Sequence, residues 1–245
     1  MRPLTADDII RIWERGHGQD SAGRAVTVLA AAFPEKRGEE LWQLSLGQRN
    51  ADLFGVREQL FGPELQAFSE CPGCGEHLEF ALSARAFRSI ASAKPPDTEL
   101  YLEAEGYALR FRLLDSLDLR AAAAAPDVGA ARKRLVERCV LEAHRHEKPV
   151  AVEELPEAVI ERLSTRLAQS DPQAEVLVDL TCPACEFKWQ IPFDIASFFY
   201  MEISAQARRL LREVHILAHA YAWREADILA MSARRRQYYL EMLGQ

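Results

Sequence analysis

Apolar positions along this chain change period several times, and the changes mark out its elements. Between Thr5 and Gly62 the spacing is helical. Thr5 or Asp7 can cap a segment through Ile9, Ile10, Ile12 and Trp13, which Gly16 and Gly18 stop. A second helix is expected from Ala22 to Phe33, where Pro34 ends it. A third enters at Ser45 and runs through Leu53, Phe54 and Leu60 to the Gly62-Pro63 break. Trp13, Trp42 and the phenylalanines fall at helical spacing beside other apolar residues, which makes them core positions rather than ligand contacts.

From Leu65 the pattern alternates instead. Leu65 to Glu70 and Leu78 to Leu82 read as one pair of strands, and Val176 to Leu180 and Phe187 to Phe193 as another. Between them, Leu100 to Leu113 alternates about Glu105-Gly106, which predicts a β-hairpin with one buried face. Three helices follow. The first is Ala-rich, capped by Asp115 or Ser116 and ending near Pro126; the second runs from Val128 to His144 with Leu135, Cys139 and Val140 on or near one face; the third opens at Leu155-Pro156-Glu157 and continues through Leu167. After the second strand pair the helical period returns from about Ala205 to Tyr221, then from Ala226 to Met231, then past a Ser232 cap from Arg234 to Leu243.

Each strand pair brackets a cysteine hook, Cys71-Pro72-Gly73-Cys74 and Cys182-Pro183-Ala184-Cys185. A C-x-x-C turn aims two sulfurs at one point, and a second such turn supplies the other half of a tetrahedral four-thiolate zinc site. The expected ligands are therefore Cys71, Cys74, Cys182 and Cys185, holding one structural zinc ion. Residues 75 to 181 separate the hooks, so the ribbon is split by a long insertion. His77 lies close by in sequence, but four cysteines already fill the site.

Composition narrows the setting. The chain has 245 residues, about half of them hydrophobic, enough to bury one substantial core or two modest ones. It lacks an apolar run of the roughly 20 residues that a membrane span needs, and its N-terminus is too acidic for a secretory signal, which places it in the cytoplasm. In that reducing compartment, paired hooks point to metal rather than disulfides. The fifth cysteine, Cys139, reads as a small buried apolar residue. A net charge of -7 argues against general affinity for phosphate backbones.

Signatures of catalysis are missing from the sequence: it has neither a Gly-rich phosphate loop nor a Gly-x-Ser-x-Gly elbow. His144 and His146 are expected on a solvated helix end beside Glu142, Arg145, Glu147 and Lys148. His215 and His219 share one side of a helix, but no glutamate follows the first, so they read as structural histidines in a packed helix rather than a protease centre. A closed four-thiolate zinc offers no open position to a substrate, and the chain is read as a non-enzyme without a small-molecule substrate.

The expected architecture is α+β: a helical N-terminal cap (1–63), a split four-cysteine zinc ribbon (64–203, built from 64–86 and 174–203) with an inserted β-hairpin-plus-helices module (87–173), and a helical C-terminal docking tail (204–245). In the tail, Tyr221, Trp223, Arg234, Arg235, Arg236, Tyr238 and Tyr239 are the candidate partner-binding residues, since arginine and tyrosine are enriched at protein interfaces.

The order of these elements, with Cys71-Pro72-Gly73-Cys74, a long insert, Asp171-Pro172-Gln173-Ala174-Glu175, and the second hook followed by Trp189 and Asp194, resembles the baseplate hub assembly chaperone family of T-even-type contractile phages. The endings Glu213 to Ala218, Tyr221 to Leu229 and Arg235 to Leu240 resemble it too, and similar proteins occur in phage-tail-like injection particles. The resemblance implies a non-enzymatic structural or assembly role in a contractile baseplate, with baseplate, hub or spike proteins as partners and incorporation into the particle as one fate. The alternative is a nucleic-acid-binding zinc ribbon using Arg208, Arg209, Arg212 and Arg234 to Arg236, which the acidic net charge disfavours.

Overall fold

A computed structural model of the chain describes residues 1–89 and 99–244. Residues 90–98 of the expected inserted module, and Gln245 at the end of the tail, lie outside the described residues. The chain forms two compact units, one of Met1–Glu35 with Ala196–Gln245 and one of Lys36–Ile195.

In the first unit, α1 (Ala6–Gly16) starts at Thr5, whose hydroxyl accepts from the Asp8 backbone N–H while the Asp8 carboxylate accepts from the Thr5 N–H. Arg2 grips the same carboxylate with two bonds of 2.7 Å. Helix α2 (Ser21–Ala32) is capped by Asp20 and breaks before Pro34, as the pattern predicts. Ile9, Ile12, Val28 and Leu29 form the buried sides of this pair.

The second unit begins with a short helix, α3 (Gly38–Trp42), and the longer α4 (Leu46–Phe61), capped by Ser45. Strands β1 (Glu64–Glu70) and β2 (His77–Ser83) pair antiparallel, and α5 (Ala84–Ser89) follows. A separate sheet is built from β3 (Leu100–Ala104), β4 (Tyr107–Phe111), β5 (Val140–Arg145) and β6 (Lys148–Pro149), in that order and antiparallel throughout. Both residues of the Glu105-Gly106 turn have positive φ, 51° and 77°, as a tight hairpin requires. Helices α6 (Ser116–Ala123) and α7 (Val128–Cys139) lie between β4 and β5, and α8 (Glu157–Ser170) closes the module. Leu109, Phe111, Cys139, Val159 and Leu163 are its core. Finally β7 (Leu177–Thr181) pairs with β8 (Lys188–Pro192).

One expected helix is cut short here. Val128 to His144 is not continuous: α7 ends at Cys139, and Val140 to Arg145 is strand β5, paired with β4 through an irregularity at Arg110/Phe111. Pairing with β4 satisfies the backbone of a segment whose Val140 and Ala143 face the core. His144 therefore sits on a strand, and His146 with Glu147 forms the β5–β6 turn, both with positive φ. The expectation of a helix end for these histidines is overturned.

The first unit resumes with α9 (Ile195–Tyr221), 27 residues long and starting ten positions ahead of the expected Ala205. Its buried side carries Phe199, Ile203, Leu210 and Leu217. Tyr200 donates its hydroxyl to the Trp13 carbonyl at 2.8 Å, under the Arg24 guanidinium, which lies 4.4 Å from the ring centre. A methyl group at Gly16 would lie 2.3 Å from the Tyr200 ring, so only glycine admits this approach. Helices α10 (Glu225–Leu229) and α11 (Ala233–Leu243, capped by Ser232) complete the unit.

Candidate metal centre

The two hooks are brought together by α4. Its C-terminus runs through Gly62-Pro63 directly into β1 and the first hook. At its N-terminus the Gly47 N–H donates to Asp171 Oδ2 at 2.9 Å, and Asn50 Nδ2 donates to the Gln173 carbonyl at 2.8 Å, which fixes the segment leading into β7 and the second hook. On its side, Phe54 stacks on Phe87, which follows β2, and on Phe193, which follows β8, with ring centres 5.0 and 6.2 Å apart. One helix thus sets the position of both hairpins, although more than a hundred residues separate them in sequence.

The hooks themselves are near-copies. In the first, Gly75 N–H donates to the Cys71 carbonyl and Cys71 N–H to the Glu76 carbonyl, both at 2.9 Å; in the second, Glu186 donates to Cys182 at 3.0 Å and Cys182 to the Phe187 carbonyl at 2.9 Å. The residue after the second cysteine turns left-handed in each, Gly75 at φ 76° and Glu186 at φ 59°. The leading cysteines, Cys71 and Cys182, are buried, and the trailing ones, Cys74 and Cys185, are exposed.

All four Sγ atoms lie within 4.8 Å of one another. Two approaches cross between the hairpins, Cys71 to Cys185 and Cys74 to Cys182, each at 3.6 Å. A disulfide needs about 2.05 Å. By contrast, four sulfurs each about 2.3 Å from a central ion stand about 3.8 Å apart, close to the spacing found. The arrangement is therefore compatible with a structural metal ion.

Electrostatics favour a cation at this point. Burial raises the Cys182 thiol, but the backbone N–H groups of Cys185 and Ala184, joined by the Cys71 and Cys74 thiols, outweigh it and bring it down to about 7. Cys74 behaves oppositely: the Glu76 N–H lowers it, but the Cys185 thiol, burial and the remaining thiols carry it up to about 12. Thiolates packed this closely repel one another, and a divalent ion bound among them would remove that repulsion.

Among the described residues, the four cysteines are the one group of metal-ligating side chains drawn together in this way. His77 is exposed at the start of β2. Cys139 is buried in the module core, its thiol against the Val136 carbonyl at 3.5 Å. His215 and His219 are exposed on α9 with their rings stacked at 6.4 Å, which overturns the expectation of structural histidines in a packed helix.

A model of the T4 bacteriophage base plate protein family matches residues 17–200, a span that contains both hooks and the Gly47–Asp171 tie. The chain belongs to that family. No curated protein and no solved structure matches it. Membership in the base plate family supports a structural role in a phage baseplate, in contact with other baseplate proteins. No helix among the described residues is long and apolar enough to cross a membrane.

The match stops at Tyr200, ahead of the candidate partner residues. In the tail, Tyr221, Trp223 and Tyr239 form one aromatic cluster: Tyr221 stacks on Trp223 with ring centres 4.5 Å apart, and Tyr239 meets Trp223 edge-on at 4.8 Å. Arg235 lies 5.7 Å from the centre of the Tyr239 ring. Tyr238 and Arg234 face solvent, whereas Arg236 does not: it is 4 % exposed, with Nε 3.0 Å from Glu213 Oε2 and Nη1 donating to the Met231 carbonyl at 2.6 Å. Sequence reasoning missed the roles of Gly47 and Asp171. The signal was a glycine inside a helix start, which marks a close approach.

Proposed function

We propose that this chain is a non-enzymatic structural or assembly component of the baseplate of a contractile tail or phage-tail-like injection particle, akin to a hub assembly chaperone, and that it binds other baseplate, hub or spike subunits. The family match across both hooks is the observation that carries this reading. In it, Cys71, Cys74, Cys182 and Cys185 hold one zinc ion and form a split zinc ribbon, supported by the sulfur spacing and by the softness of an all-thiolate donor set. The ion supplies folding free energy and no reaction step. The tail from 204 onward is the docking element, with Tyr238, Arg234 and Arg235 as the exposed contacts.

Co-expression with the hub, spike and tube proteins encoded beside it tests the role. Co-purification with at least one of them, together with defective particles when the gene is deleted, is the expected result. A chain that binds none of them, and whose deletion leaves particles intact, contradicts the reading. Retention in the finished particle, measured by mass spectrometry, separates a resident subunit from a departing chaperone.

A further inference from the structure

The charge of the chain is unevenly placed. Residues 36–195 carry 27 acidic and 19 basic side chains, whereas the other unit carries 10 and 11. Within that balanced unit, the solvent face of α9 is free of carboxylates over a long stretch. Arg208, Arg212, His215 and His219 are all exposed there, spaced by four, three and four residues, which stacks them in one row about 16 Å long. Exposed Met201 and Ile216 lie on the same face, 64 % and 45 % accessible. Glu213, the acidic residue nearest the row, is turned toward Arg209 and Arg236, at 3.1 and 3.0 Å. Among the described residues neither Arg208 nor Arg212 has an ion-pair partner.

We infer that this row is a docking site for an acidic amphipathic helix of a neighbouring protein, one with carboxylates at matching helical spacing and apolar side chains that cover Met201 and Ile216. The inference rests on the reading of the chain as an assembly component and adds the site and the chemistry of its partner. Charge complementarity selects the occupant. Two arginines one turn apart, followed at the same spacing by two imidazoles that can donate hydrogen bonds, match glutamates repeating likewise on a second helix, and the flanking apolar residues gain burial that a phosphate backbone cannot give. The acidic surplus on the other unit further opposes a polynucleotide. A helix also fits better than a loop, because its side chains hold the repeat without further ordering cost.

The test uses the full-length chain and a synthetic helical peptide with glutamates at i, i+4, i+7 and i+11 flanked by leucines, followed by fluorescence anisotropy at fixed salt. Saturable binding is expected, weakened at least tenfold in Arg208→Glu/Arg212→Glu and regained by that variant toward a lysine version of the peptide. Arg208→Gln/Arg212→Gln, with its fold checked by circular dichroism, gives an intermediate loss if the charge-reversed chain is unstable. Absence of peptide binding, indifference to both variants, or tighter binding to a random-sequence DNA duplex in the same buffer overturns the inference. The baseplate reading is tested apart from it: co-purification with baseplate proteins by both wild type and charge-reversed chain leaves that reading standing and removes the row from it.

Discussion

Gly47 donates its backbone N–H to Asp171 Oδ2 at 2.9 Å, across 124 residues of sequence, and a methyl group on Gly47 would lie 1.8 Å from the other oxygen of the same carboxylate. The contact ties the start of α4 to the segment that leads into the second hook, so it sets where the two hairpins meet. Gly47→Ala must push Asp171 away and is expected to cost about 1–3 kcal/mol. Thermal unfolding should show the loss, and metal content should fall with it because the hooks separate.

The ligands themselves should be less forgiving. Cys71→Ser or Cys182→Ser removes a buried sulfur from the proposed metal site, and a structural ion there would contribute folding free energy, which reaches about 10 kcal/mol or more in small zinc domains. Aggregation or a severe drop in Tm is the expected outcome, read by circular dichroism. Cys139→Ser should leave the metal content unchanged, because its thiol lies in the module core and not among the four.

In the other unit, Arg236→Ala takes a partner from Glu213, which is only 12 % exposed in the intact pair, while Arg209 still reaches it at 3.1 Å. Breaking a buried pair usually costs about 3–5 kcal/mol, and the remaining arginine should reduce that to about 2 kcal/mol. Arg234→Ala, on the exposed face of the same helix, should stay within about 0.5 kcal/mol. Urea unfolding of the two variants distinguishes them.

The Arg2–Asp8 pair gives a pH signature. The hydrogen bond from Arg2 outweighs desolvation and, with the Thr5 donors, holds the Asp8 carboxyl at about 2, below its ordinary 3.8. A depressed acid stabilises the fold in its ionised form, so the contribution is full above pH 4 and is lost as pH falls toward 2. Arg2 is 41 % exposed, and screening limits the contribution to about 1 kcal/mol. Wild type and Asp8→Asn should therefore differ in stability at pH 6 and converge between pH 4 and 2, as measured by denaturant titration.

Local physics made much of this fold legible. Caps at Thr5, Ser45, Asp115 and Ser232, and the Glu105-Gly106 turn, are decided by a few neighbouring residues, and they appear where the pattern puts them. The hooks were legible because a metal demands fixed chemistry at fixed spacing. What escaped depends on distant partners. Val140 to Arg145 keeps a helical spacing with Leu135 and Cys139, and only pairing with β4 makes it a strand. Its turn at His146 and Glu147 holds two left-handed residues without glycine or asparagine, the usual signals. Helix α9 begins early because Phe199 and Ile203 find a core in their own unit, which the preceding strand pattern hides. Arg236 sits in an arginine triplet that reads as a partner surface, and its burial follows from Glu213 on another helix.

Metal analysis of the purified full-length protein is the most direct measurement. Elemental analysis should find about one zinc per chain, released together with the protection of four thiols when a strong chelator is added, and the fold should destabilise on release. A metal-free chain of unchanged Tm, with all four hook cysteines freely reactive, would contradict the metal clasp.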